Sequence, residues 1–438
     1  MKKKLCILML ALAALLIIPT AANASAVDSG KFGDNLEWIF DDSGTLTISG
    51  DGDMPEIYGM DGVPWRKWCY EVTSVIIDDG VSSIGEFAFY EFMNLKSITI
   101  PDSVLSIRRM SFEFCTSLTD ITIPSSVTNI DAAFSCCGML RLDVSPQNEF
   151  YSSSDGVLFN KDMTEIVAYT KDYLENEYTI PDGVTSVGDY AFHHNFYLTG
   201  VTIPDSVTSI GNAAFENCYY LADITMPDSI ISIGDWAFSW CRDLADIKLP
   251  RNLTHIGESA FSHCDSFTSI VIPEGVTSIV RRAFYECAKL TSITIPNSVT
   301  HIADYAVFGC YDLTDVYYNG SEQEWNKIDI GYFNDFRYAE IHYINRTSSS
   351  SVEKCDNIIK ITTSLDSLSE EDKQISRVCT ALYDENDAVL DCCIADYEGT
   401  DVTGTLVNSE NADHIRVFVW NMDGSLAPLT ETPEYIEL

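Results

Sequence analysis

The sequence predicts an α/β solenoid of short parallel strands, with one short helical turn in each 23-residue coil, followed by a small all-β C-terminal domain. Three observations carry that prediction. Prolines recur at 101, 124, 181, 204, 227, 250, 273 and 296, every interval being 23 except the one from 124 to 181, which is 57. The text around each proline repeats in phase, as in Leu290 to Ile302 and Leu198 to Ile210. Self-similarity at a fixed period of this length marks a stack of identical supersecondary units. The third observation is an apolar residue returning to the same slot of every unit, so that stacked units share one core.

Within a unit, Leu-x-x-Ile-x-Ile alternates with period two, the signature of a short strand with one buried face. Proline follows the strand, where its missing N–H costs no ladder bond. Pro-Asp-Ser turns the chain, because proline presets φ and Asp or Ser bonds nearby backbone. Val207 and Ile210 then bury the return path, and Gly-x-x-Ala-Phe closes the coil as one helical turn. The long interval keeps the pattern with an insertion, read as a hairpin of Asp155–Asn160 and Glu165–Tyr169.

Phase alignment places Phe192, Phe215, Phe238, Phe261 and Phe284 in one slot, with Phe89, Phe112 and Phe134 upstream and Val307 closing the series. Cys218, Cys241, Cys264, Cys287 and Cys310 fill a second slot, with Cys115 and Cys137 upstream. A metal ladder or inter-coil disulfides is one reading of these thiols. Parallel side chains strain the torsion a disulfide needs, and one thiol per coil lacks the close pairs of a zinc site. A small buried free thiol is the preferred reading.

The ends have their own signatures. Lys2 to Lys4, an apolar run from Leu5 to Ile18 and Ala22-Asn23-Ala24 read as a cleaved signal peptide over 1–24. Residues 25–71 read as an N-terminal β cap, 72–344 as the repeats with their closing coil, 345–351 as a Ser-rich linker, and 352–438 as a β-sandwich-like domain. One disulfide among Cys355, Cys379, Cys392 and Cys393 is an open possibility.

The unit Ile-Pro-Asp-Ser-Val-Thr-Ser-Ile-Gly-x-x-Ala-Phe-x-x-Cys-x-x-Leu resembles the BspA-type leucine-rich repeats of bacterial surface and secreted proteins. The resemblance covers about Val72 to Tyr343. Ser29 to Trp38, Gly44 to Gly50 and Pro64-Trp65 look like that family's N-terminal cap, and Tyr317 to Trp325 with Ile341-His342-Tyr343 like its closing coil. The resemblance implies a leucine-rich-repeat solenoid that adheres to other proteins.

Composition narrows the function by exclusion. With 26 basic and 66 acidic side chains the chain carries −40, and removal of Lys2 to Lys4 makes the balance 23 against 66. Nucleic-acid partners need a basic footprint, so they are excluded. No second apolar run of membrane length follows the leader, and the protein is expected to be exported, extracellular or held non-covalently at a cell surface. Acidity is spread, with 17 basic against 47 acidic residues over 25–344 and 6 against 19 over 345–438.

Enzyme signals are thin, and no catalytic residue, metal ligand or cofactor is expected. No Gly-x-Ser-x-Gly, His-Glu-x-x-His or phosphate-loop spacing occurs. His255 and His301 share a slot, and Asp120, Asp223, Asp246 and Asp315 share an outward strand slot, which reads as a solvated face. Asp51-Gly52-Asp53 lacks calcium-loop spacing.

The variable slots are more informative. Phe196, Tyr197, Tyr219, Tyr220 and Trp240 fall just before the strands of adjacent coils, with Tyr190, His193, His194 and Trp236 near in the repeat. Aromatic residues are favoured at binding hot spots. Phe196, Tyr197, Tyr219, Tyr220, Trp236 and Trp240 are therefore the candidate site for an extracellular protein or glycan, against the plainer reading that the rings half-pack between coils. A matrix spacer and a glycan-capture accessory acting through the C-terminal domain are the alternative functions.

Overall fold

The computed structural model describes residues 24–57, 59–137, 140–170, 176–245 and 247–344, together with the backbone of strands between 349 and 437. The leader as far as Asn23, residues 345–348 of the linker, and the side chains of Cys355, Cys379, Cys392 and Cys393 lie outside the described residues. Two compact units divide the chain, one ending at Lys161 and the other beginning at Asp162. Each is a stack of parallel-strand coils with little helix.

The first unit opens with an antiparallel meander, Ala26–Phe32, Leu36–Asp41 and Thr45–Gly50. Its third strand then pairs in parallel with Ser74–Ile77, Leu46 facing Val75 and Ile48 facing Ile77. Leu46 and Ile48 are thereby fully buried, and the meander covers the first coil, which would otherwise end in open core. Trp65 is the plug beneath it. Its indole lies 5.0 Å from Phe32 and 6.3 Å from Phe89, and its Nε1 donates to the Ala88 carbonyl at 2.8 Å. Behind it Phe89, Phe112 and Phe134 stack at 5.4 and 5.5 Å.

Both strands expected of the insertion form, as Val157–Asn160 and Glu165–Ala168, and a further strand that the sequence reading does not include precedes them. Tyr151–Ser154 pairs antiparallel with Val157–Asn160 around Asp155-Gly156, whose φ values are 54° and 79°. Two positive φ angles in a two-residue loop match the twist of the flanking strands, and Asp-Gly is the pair that tolerates them. Glu165–Ala168 belongs to the second unit, where it runs parallel to Ser186–Val187.

In the second unit the strands repeat at identical register. Gly200 faces Asp223 and Thr202 faces Thr225 on one sheet, and Ser209 faces Ser232 on the return path. Phe192, Phe215, Phe238, Phe261 and Phe284 stack at 4.7, 5.2, 5.4 and 5.7 Å, all fully buried, with Val307 beyond them. The stack ends at Glu322–Trp325, a four-residue α-helix. Ser321 and Glu324 form a reciprocal capping box there, and Trp325 packs 5.3 Å from Tyr318 and 5.8 Å from Phe336. Beyond Ser349 the described backbone runs as strands in a three-stranded and a four-stranded antiparallel arrangement.

The helical turn expected in every coil is not what closes it. Gly-x-x-Ala-Phe-x-x-Cys alternates between two kinds of hydrogen bond. Ala237, Ser239 and Cys241 donate to the carbonyls three residues back, those of Gly234, Trp236 and Phe238. Trp236, Phe238 and Trp240 donate instead to Glu258, Ala260 and Ser262 of the following coil, each at 2.8 Å. An α-helix would commit all of these N–H groups to its own chain. The stack takes every second one, and the chain accommodates this with left-handed backbone at Trp236 (φ 54°) and Trp240 (φ 64°). The α/β expectation is corrected accordingly: among the described residues, Glu322–Trp325 is the one α-helix.

Candidate functional site: an aromatic flank on left-handed turns

Two left-handed residues per coil set the geometry of one flank. In successive coils of the second unit the first is Tyr190, Ala213, Trp236, Ser259, Arg282 and Tyr305, and the second is His194, Asn217, Trp240, His263, Glu286 and Gly309. Left-handed backbone costs an ordinary L-residue roughly 1–2 kcal/mol and suits Gly and Asn. Only Asn217 and Gly309 follow that preference. The rest of the positions carry varied, often bulky side chains on a backbone whose left-handed turns are imposed by the hydrogen bonds to the following coil, so the side chains vary while the backbone does not.

The six candidate residues divide into two groups. Phe196 stacks on Tyr219 at 5.3 Å and 28°, and Trp240 stacks on His263 at 3.8 Å and 19°. The Arg242 guanidinium joins the two pairs, lying 5.4 Å over Tyr219 and 4.7 Å over Trp240 while its Nε reaches Asp265 at 3.6 Å. These rings are half-buried and use their faces on one another, as the plainer reading of the sequence anticipates. Tyr197, Tyr220 and Trp236 are exposed instead, at 51%, 58% and 42%.

Farther along, His263 meets Tyr285 edge-on at 5.6 Å, Tyr285 stacks on Phe308 at 5.5 Å, and Tyr305 stacks on Phe333 at 4.8 Å. Arg282 lies over Tyr285 and Tyr305 at 5.5 and 5.8 Å. Arg242, His263, Arg282, Tyr285, Tyr305, Phe308 and Phe333 were not singled out from the sequence. Four of the contacts were legible in it, because Tyr219 and Arg242, Trp240 and His263, Arg282 and Tyr305, and Tyr285 and Phe308 are each 23 residues apart.

Electrostatics follow the packing. Burial lowers the His263 pKa, against the opposing pull of Glu286 and Asp265. A hydrogen bond to Glu286 and burial raise that of Tyr285.

The cysteines of the repeat slot are buried free thiols. Cys218, Cys241, Cys264, Cys287 and Cys310 each donate to the phenylalanine carbonyl one coil back, at 3.0–3.3 Å. Burial pushes Cys218 and Cys310 up to about 12, far from the thiolate needed for metal binding or attack.

The carboxylate slot is spread along the sheets. Asp120 and Asp223 are exposed, Asp315 accepts from Thr314 and pairs with His342 at 2.7 Å, and Asp246 lies outside the described residues. His301 pairs with Asp329 at 2.9 Å. Asp53 accepts from Ser82 at 2.6 Å.

Comparison with known proteins agrees with this architecture. The family model described as "BspA type Leucine rich repeat region" matches in six copies, over residues 67–176, 166–270 and 254–379. No curated protein matches the chain. Among solved structures, a leucine-rich repeat protein from Eubacterium ventriosum is 25% identical with a TM-score of 0.52, over 70% of this chain and 93% of that one. A leucine-rich cell surface protein from Faecalibacterium prausnitzii is 27% identical over 70% and 98%, with a TM-score of 0.36. The pneumococcal vaccine antigen PcpA is 18% identical over 73% and 99%, with a TM-score of 0.48.

Proposed function

This chain belongs to the BspA-type leucine-rich repeat family, and from that premise we propose that it is a non-enzymatic binding protein, exported or held at a cell surface, whose aromatic flank engages an extracellular partner. The single observation that supports this most is Trp236, an indole left exposed on left-handed backbone, where Gly or Asn would be the low-energy choice. A side chain that serves packing alone has cheaper positions in the coil. The leader read from residues 1–24 supports export, and no helix among the described residues is long and apolar enough to cross a membrane. The strands beyond Ser349 are read as a separate all-β domain.

Affinity would be assembled from several coils along one rigid flank, each contact being weak. The test is an array of extracellular-matrix proteins and glycans probed with the full chain and with a variant in which the exposed Tyr197, Tyr220 and Trp236 are replaced together by Ser. Saturable binding that the variant loses, at an unchanged melting temperature, supports the reading. Binding that survives the triple substitution refutes it.

A further inference from the structure

Three features of this protein place a cation against both an aromatic ring and a carboxylate. In the first unit Lys67 lies 5.5 Å over Trp68 and pairs with Asp28 at 2.6 Å, and Arg66 lies 5.5 Å over Tyr90 and pairs with Glu91. In the second unit Arg242 lies between Tyr219 and Trp240 beside Asp265. Ring face plus carboxylate satisfies a cation twice over, through the quadrupole of the ring and through the ion pair.

The same two ingredients recur on the flank without a cation of the chain's own. Trp236 is 42% exposed, and the residues of its slot in the coils before and after are Ala213 and Ser259, too small to cover an indole. Asp235 precedes it; one carboxylate oxygen caps the Glu258 N–H at 2.6 Å, and no hydrogen bond engages the other among the described residues. Tyr220 is 58% exposed, and the next coil puts Asp243 in its slot, about 4.8 Å farther along a parallel stack. Neither Trp236 nor Tyr220 has a ring or cation partner among the described residues. The surroundings carry strong negative charge, 47 acidic against 17 basic residues over 25–344.

We infer that the partner of this flank is a basic polypeptide segment, whose arginine or lysine side chains lie on the Trp236 and Tyr220 rings and pair with Asp235 and Asp243. The inference rests on the flank being the binding surface and adds the chemistry of what it binds. Uniform negative charge attracts any cation loosely and from a distance. Ring and carboxylate together convert that attraction into a seated contact, because a guanidinium keeps its edge donors for the carboxylate while its plane covers the ring.

The test uses the full chain and fluorescently labelled (Gly-Arg)6, (Gly-Lys)6 and (Gly-Glu)6 peptides, followed by anisotropy at 150 mM salt. Binding of the basic peptides, absent for (Gly-Glu)6 and weakened at least tenfold by W236G together with Y220S, is the expected result. A second variant, D235N with D243N, keeps the backbone-capping oxygen of residue 235 and removes only charge; it should also weaken binding severalfold. Equal binding by wild type and both variants overturns the inference, since it would report charge alone. Failure of every basic peptide, with a glycan or acidic protein captured through Trp236 and Tyr220, overturns it too while leaving the flank as the binding surface.

Discussion

Cys241 Sγ lies 3.2 Å from the carbonyl oxygen of Phe215, one coil back in the stack. That oxygen also accepts from the backbone N–H of Cys218 in its own coil at 3.1 Å. The thiol thus ties one coil to the next at a buried acceptor, a role open to a small apolar side chain with a weak donor. Alkylating reagents should leave all the repeat-slot cysteines untouched in the native protein and label them only after unfolding, as mass spectrometry would show. Rapid native labelling of Cys241 would contradict the assignment. Cys241→Ala should cost about 1–2 kcal/mol in urea melts, from the lost sulfur volume and the lost bond.

Phe238 sits between Phe215 and Phe261 with nearly parallel rings, 6° and 3° apart. Phe238→Ala empties a slot whose walls are held by both neighbours and cannot collapse inward. The expected loss is roughly 3–5 kcal/mol in denaturant melts, and a loss below about 1 kcal/mol would remove Phe238 from the core.

Trp236 makes the opposite prediction from a position only two residues away. Its backbone is left-handed and its indole is exposed. Trp236→Gly relieves the backbone and surrenders little packing, so stability should stay within about 1 kcal/mol of wild type or rise. A destabilisation approaching that of Phe238→Ala would show that the indole is a packing residue.

Acid should loosen the flank before it unfolds the core. The folded His263 pKa lies below its ordinary 6.5 because of burial. The unfolded chain therefore binds the proton first as pH falls, and stability contributed by this group is present above about 6.5 and lost below it. Melting temperature should decline as pH falls below about 6.5, and His263→Phe, which keeps a ring against Trp240, should flatten that part of the profile. Asp28 and Asp228, held below the usual carboxylate range by side-chain hydrogen bonds from Lys67 and Arg251 respectively, act only at lower pH, near and below 4. An unchanged slope in His263→Phe would dismiss the imidazole as its source.

Period and core were legible because both are properties of spacing. Phe192 to Phe284 and Cys218 to Cys310 return every 23 residues, and stacking follows from that alone. The closing turn was not legible, because its cause is a hydrogen-bond partner 22 residues away. Left-handed backbone at Trp236 and Trp240 carries no glycine or asparagine to announce it. The turn at Asp155-Gly156 carries its own signal in the Asp-Gly pair, but Tyr151–Ser154 before it is a polar run with no alternation to mark it as a strand. On the flank, the aromatic residues could be picked out, but not which faces were spent on neighbours. His263 and Arg242 close those faces, and neither is conspicuous in a sequence.

The alternation of hydrogen bonds in the closing turn bears on how such a chain can change in length. A coil shows its neighbours a fixed pattern: Trp236, Phe238 and Trp240 donate forward, while the return path donates backward, as from Gly257 to Ile233. Any coil can therefore follow any other, provided the count is kept. Duplicating or deleting a whole 23-residue block leaves every donor opposite an acceptor, whereas a change of one residue has to be absorbed within the turn, as where Met110 donates 22 residues ahead to Ala132 but Phe112 and Phe114 donate 21 ahead to Ala133 and Ser135. Length is thus free to vary in whole blocks while the side chains of the left-handed slots vary one at a time, which lets the reach of the flank and its chemistry evolve independently.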